Sequence, residues 1–182
     1  TPHLLQSVSK SLTAAAAGTL IADGLLDPAA PITTYLPELA TTAYAGATLQ
    51  HIFDMTSGTR YCEDYDIRDS DVGKTDFASG WKPAPVGQDV SQWPTCIWDQ
   101  ILGLKVAEAP HGQRFEYRSI ETDVLAHAME RVTGQRLPQI LSQRLWQPMG
   151  AAEDASITLD SAGYGLACGG ISATLRDMAR FG

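Results

Sequence analysis

Asparagine is missing altogether from the 182 residues, and lysine occurs only four times. Without Asn the chain has no N-glycosylation sequon and no catalytic motif written with that residue. Cysteine is scarce too. Cys62, Cys96 and Cys168 are odd in number, widely spaced, and form no C-x-x-C. The four histidines (His3, His51, His111 and His127) give no H-E-x-x-H or other ligand spacing, so no metal or redox centre is expected. Cys62 and Cys96 can bridge in an oxidising compartment; buried free thiols are the preferred reading. No apolar run approaches the ~20 residues of a spanning helix. No basic leader with an apolar stretch behind it opens the chain, so neither a transmembrane segment nor a signal peptide is expected.

Positive charge is also in short supply: 13 Lys and Arg face 21 Asp and Glu, a net charge of −8. Such a surface repels phosphate backbones and anionic lipid, which argues against nucleic acid and membranes as partners. Arg114 and Arg118 are the one close basic pair near a motif. What is present is ample apolar content, 44% of residues, for one packed domain over residues 1–182.

Apolar spacing predicts a helix from Ser7 to about Asp23, closed by Gly24, and a short helix after Thr48, stopped at Ser57-Gly58. Residues 59–96, rich in Pro and aromatics, read as a long packed functional loop. A helix near 98–106 is expected next. Ser119 opens a helix through Val132, with Glu121 and Asp123 in the first turn, where the helix dipole favours acids, and Gly134 closing it. A helix over Pro138–Trp146 follows, and Ser172 or Thr174 opens a last one. Strand-like alternation is scarce. Gly163-Tyr164-Gly165 and Gly169-Gly170 lack the context of a dinucleotide site and read as a turn.

S-x-x-K occurs at Ser7/Lys10 and at Ser79/Lys82. A nucleophile and its amine must share a face, which three residues on a helix achieve. Gly80 and Pro83 deny Ser79 that helix, so only Ser7 qualifies. Ser7 as a plain helix N-cap, with Lys10 solvated, is the competing reading. Tyr117-Arg118-Ser119, at a loop-to-helix junction, is the only Tyr-x-Ser; its phenol can be aimed into a cleft or simply pack in the core.

Four ordered blocks (S-V-S-K, L-Q-H-I-F-D-M-T-S-G, F-E-Y-R-S-I-E-T-D-V-L and G-G-I-S-A-T-L-R-D-M-A-R-F-G) resemble the serine β-lactamase and penicillin-binding-protein superfamily. The similarity is greatest to its class C-like branch, which includes 6-aminohexanoate-dimer hydrolases and related esterases. The resemblance implies an α+β, β-lactamase/transpeptidase-like fold, an antiparallel sheet flanked by helices plus a helical subdomain. The chain would supply mainly the helical portion, as the central fragment of a longer hydrolase. The family's nucleophile falls on Ser7, its lysine on Lys10 and its second-motif tyrosine on Tyr117. Ser119 stands where the family often has Asn, and its single hydroxyl donor would contact a substrate carbonyl less surely than an amide. Tyr65 matches a cleft-lining, substrate-binding position.

The family's third motif, K-T-G or H-x-G on a sheet edge, does not occur after Tyr117, and with it one oxyanion donor. The activity implied is cleavage of an amide or ester of a small molecule through an acyl-serine, with no cofactor. The alternatives are a β-lactamase or D-alanyl-D-alanine carboxypeptidase, or a non-catalytic penicillin-sensor-type binder. A homo-oligomer stays open, as does the compartment, cytoplasmic or periplasmic/secreted.

Overall fold

A computed structural model describes all residues from Thr1 to Gly182. Strand β1 (His3–Leu4) leads into a 3-10 turn over Gln6–Val8, with Gln6 in the left-handed region at φ +50°. Helix α1 (Ser9–Ala22) therefore starts two residues later than the spacing predicts, and Gly24 ends it at φ +72° as expected. Its S-K-S-L-T-A-A-A-A run keeps the helix thin, so that Ala16 and Ala17 are buried without exposed surface.

Helix α2 (Leu49–Phe53) opens on a reciprocal cap: the Thr48 hydroxyl accepts the His51 N–H, and His51 Nδ1 accepts the Thr48 N–H. The stretch 59–96 corrects the expectation of a loop throughout, because it contains helix α3 (Asp71–Ala78), capped by Ser70 through the Gly73 N–H. Asp71-Val72-Gly73-Lys74 shows no apolar period, so the cap and the burial of Val72, Thr75 and Ala78 hold this helix rather than any pattern legible in advance. Ser79 is its C-terminal cap residue and Gly80 stands at φ +73°. Ser79 donates to the Asp76 carbonyl and Lys82 pairs with the Asp76 carboxylate at 2.6 Å, so the second S-x-x-K is spent locally.

Helix α4 (Ile97–Gly103) is shorter than expected. Helix α5 (Ile120–Thr133) is buried at every position from Ile120 to Met129, packs against α1 and α2, and ends on Gly134 at φ +67°. The single helix expected over 138–146 divides into α6 (Leu137–Leu141) and one turn of π-helix over Ser142–Trp146. Strands β2 (Ser156–Ile157) and β3 (Ile171–Ala173) complete a three-stranded antiparallel sheet in the order β1-β3-β2. Thr174 rather than Ser172 caps the last helix, α7 (Leu175–Phe181), since Ser172 lies within β3. The fold is thus α+β and dominated by helices. No helix is long and apolar enough to cross a membrane. All three cysteines are free; Cys96 and Cys168 are buried, but Cys62 is exposed, against the expectation of buried thiols.

The T-S-G segment after α2 clamps the chain that carries Tyr117. Gly58 stands at φ +69°, and a Cβ there would meet the Ala109 carbonyl oxygen at 2.1 Å. Gly58→Ala is expected to cost about 2–3 kcal/mol, a fall of about 5–10 °C in melting temperature for a domain of this size. Thermal unfolding checks it, and an unchanged transition would show that the two loops separate freely.

Candidate active site

Ser7 lies in the 3-10 turn ahead of α1, and Lys10 lies in the first turn of the helix. Lys10 Nζ donates to Ser7 Oγ at 3.1 Å, and the Tyr117 hydroxyl donates to the same oxygen at 2.8 Å. Lys10 Nζ also donates to the Cys168 carbonyl at 2.6 Å and sits 5.2 Å from the centre of the Tyr117 ring. Two donors, one three residues along the chain and one 110 residues away, thus converge on one hydroxyl. Ser7 does not serve as a cap: neither the 3-10 turn nor α1 has a side-chain cap hydrogen bond.

Tyr117 is held from behind. Glu116 N–H donates to the Met55 carbonyl at 3.0 Å and Gly112 N–H to Thr56 at 2.8 Å. The next side chain, Arg118, is wholly buried and ion-pairs with Glu116 at 2.6 Å and Glu108 at 3.1 Å. Arg114 pairs with the same two acids, so the basic pair seen in the sequence is neutralised. Ser57 donates to the buried carboxylate of Glu121, and His111 bridges the carbonyls of Ser57 and Ala45. Burial pushes the Glu121 carboxyl up to about 8, outweighing Arg118, whose Nη1 is 4.0 Å away. Asp123, also inside, accepts the N–H groups of Ala167 at 2.8 Å and Cys168 at 3.2 Å, and burial raises it to about 7.

The facing wall is built on Glu63, which sequence reasoning left without a role. One carboxylate oxygen accepts the Tyr65 hydroxyl at 2.5 Å together with the Ser119 hydroxyl, and the other accepts the Ser119 N–H at 2.9 Å. Burial and this bond to Glu63 both drive the Tyr65 phenol further up. Tyr65 and Ser119 therefore line the same cleft as Ser7 and Lys10. The Ser119 hydroxyl donates to Glu63. The cleft, about 50 Å³, also takes in Asp76, Trp81 and Gly169. A larger chamber of about 370 Å³ shares Tyr65, Val72 and Asp76 as lining and is bounded further by Ile67, Pro83, Pro85 and Trp93 with Arg68 and Lys82. Trp81 and Asp76 had no signal in the sequence beyond lying in the 59–96 stretch.

This fold, with a serine, a lysine and a tyrosine on one oxygen, is that of the serine β-lactamase-like hydrolases. The beta-lactamase family model matches residues 1–182, and the chain belongs to that family. It is 42% identical over 180 residues to the 6-aminohexanoate-dimer hydrolase of Paenarthrobacter ureafaciens, covering 99% of this chain and 44% of that protein. A Bacillus anthracis structure designated a 6-aminohexanoate-dimer hydrolase superposes with a TM-score of 0.87 at 31% identity, over 99% of this chain and 46% of that one. A D-stereospecific amidohydrolase from Streptomyces shares the fold at a TM-score of 0.70 and 16% identity, over 99% and 59% of the two chains. The chain spans about half the length of the relatives it matches. In sequence and fold it is similar to the proteins named 6-aminohexanoate-dimer hydrolases.

Glu121 gives the site a pH signature. Its folded pKa, about 8, lies above the ordinary carboxyl value, so between roughly pH 4.5 and 8 the folded state holds a proton that the unfolded state has lost. That contribution to stability is complete below pH 4.5 and is lost as pH rises towards 8. Removing the charge by Glu121→Gln is expected to leave stability near pH 4.5 unchanged and to raise it by about 1–3 kcal/mol at pH 8. Denaturant unfolding at the two pH values checks this; a variant destabilised equally at both would mean that the carboxylate is needed in ionised form.

Proposed function

We propose that the protein hydrolyses short linear amides through an acyl-enzyme on Ser7. The observation that carries this reading is the convergence of Lys10 Nζ and the Tyr117 hydroxyl on Ser7 Oγ. In the first half-reaction Oγ attacks the amide carbonyl carbon and its proton passes to the Lys10–Tyr117 pair. The C–N bond then breaks, and Tyr117, resupplied through Lys10, protonates the leaving amine. Water next attacks the ester so formed, giving up one proton to the same pair. The carboxylic acid leaves, and Ser7 recovers its proton.

The cleft supports an amide over an ester. Tyr65 and Ser119 both commit their protons to Glu63, so they turn lone pairs to the cleft, and a lone pair recognises an N–H. The larger chamber, with Val72, Pro83, Pro85 and Trp93 beside Arg68, Asp76 and Lys82, suits a methylene chain with a charged end. The 6-aminohexanoate dimer has that form.

Two measurements test the reading in the full-length protein. Ser7→Ala is expected to lower turnover of the 6-aminohexanoate dimer by at least about 10³-fold. The same change should abolish a fluorophosphonate adduct that peptide mapping places on Ser7 in the parent. Turnover that survives the substitution removes Ser7 from the mechanism. Glu63→Gln, which offers an amide N–H in place of one carboxylate oxygen, is expected to lower the ratio of amide to matched ester kcat/KM by about tenfold, the size of one hydrogen bond to a charged partner. Equal loss on both substrates would deny the wall its part in choosing the amide.

A further inference from the structure

Lys10 is held at both ends of its amine: by Ser7 Oγ on one side and by the Cys168 carbonyl, at 2.6 Å, on the other. Fixing one N–H on the Cys168 oxygen restricts rotation about Cε–Nζ and holds another N–H on Ser7 Oγ. The direction of that carbonyl therefore decides how Lys10 meets the nucleophile.

The carbonyl belongs to a turn over residues 166–170, closed by the Gly170 N–H on the Leu166 carbonyl at 2.8 Å, and that bond leaves the N–H groups of Ala167 and Cys168 to be held from outside. The two consecutive N–H groups of Ala167 and Cys168 both donate to a single oxygen, Asp123 Oδ1, at 2.8 and 3.2 Å. The Thr13 hydroxyl on α1 reaches the Ala167 carbonyl only at 3.5 Å while also bonding Ser9. Asp123 is 1% exposed, and its other oxygen has no partner. Its side-chain hydrogen bonds both go to this one segment, across 44 and 45 residues of sequence.

We infer that Asp123 is a positioning residue for the reaction: it holds the 167–168 peptide so that the Cys168 carbonyl aims Lys10 at Ser7. This rests on the proposal that Ser7 and Lys10 carry the chemistry. Asn in the same place keeps Oδ1 as an acceptor and sets an NH2 where Oδ2 has no partner, so geometry and charge can be separated.

The experiment measures kcat and KM for the 6-aminohexanoate dimer, and the rate of fluorophosphonate labelling at Ser7, in the full-length protein and its Asp123 variants. Asp123→Ala is expected to lower kcat by about 10–100-fold, the effect of a misplacement on the ångström scale, with KM within threefold of the parent and labelling slowed in proportion. Asp123→Asn is expected to restore kcat and labelling to within threefold. Should the alanine variant fail to fold by circular dichroism, Asp123→Glu takes its place; it keeps the charge, moves the carboxylate by a methylene, and is expected to lose kcat in the same way. Undiminished kcat in the alanine or glutamate variant, a loss in Asn equal to that in Ala, or KM rising in step with the fall in kcat would each overturn the inference. Ser7→Ala is run alongside: if that variant keeps its turnover, it is the nucleophile assignment that fails. The Asp123 variants measured against a parent that does depend on Ser7 decide the positioning role separately.

Discussion

The first turn of α5 is buried on every side, and the arrangement of the cleft follows from that. Ile120 to Met129 are all buried, and two of them, Glu121 and Asp123, are acids. Taking a carboxylate out of water costs several kcal/mol unless donors replace the hydration. The donors come from other loops: Ser57 reaches Glu121, and the Ala167 and Cys168 N–H groups reach Asp123. Ser119, just ahead of the helix, adds the reverse case and gives its own donors to Glu63. The segments that carry Ser57, Glu63 and Cys168 are thus each tied to the start of α5 by a bond that satisfies a group buried there.

The buried guanidinium of Arg118 works on the same helix start from the other side. It lies between Tyr117, which is 38% exposed, and Ser119, which is buried. In an extended segment successive side chains alternate, so anchoring Arg118 inward on Glu108 and Glu116 presents Tyr117 outward towards Ser7. As net stability this cluster is worth little, because desolvation cancels most of the attraction. Its value is orientation: the two acids hold the buried guanidinium inward.

Much of this was legible in the sequence, and the remainder was hidden for identifiable reasons. The S-x-x-K spacing together with the block order brought Ser7, Lys10 and Tyr117 forward as one site, and Gly24 and Gly134 marked helix ends by the need for positive φ. Glu121 and Asp123 read as partners of the helix dipole, since an acid in a first turn satisfies that rule whether it faces water or core. Only the tertiary packing of α5 shows that they face inward. Glu63 was invisible for a related reason: its bonds run to Ser119, 56 residues on, and no local pattern encodes such a pairing. Helix α3 escaped because its cap, not its apolar spacing, defines it. The 59–96 stretch reaches the cleft through Tyr65, Asp76 and Trp81.

The start of α1 is where the local rules give way. A serine at a helix entrance ordinarily caps it, a bond worth about 1 kcal/mol. Here the side chain forgoes that role, the 3-10 turn replaces the first helical residues, and Gln6 takes a left-handed φ that is sparsely populated outside glycine. None of this is repaired within the segment itself. It is offset at a distance, by the Leu5 N–H on the Ile171 carbonyl at 2.8 Å, by the Ile171 N–H on Ser9 Oγ at 3.2 Å, and by the Lys10 and Tyr117 bonds to Ser7 Oγ. A capped, relaxed Ser7 would have its oxygen turned into the helix and closed to any substrate. The conformation that costs locally is the one that leaves that oxygen at the cleft, between the Lys10 amine and the Tyr117 hydroxyl.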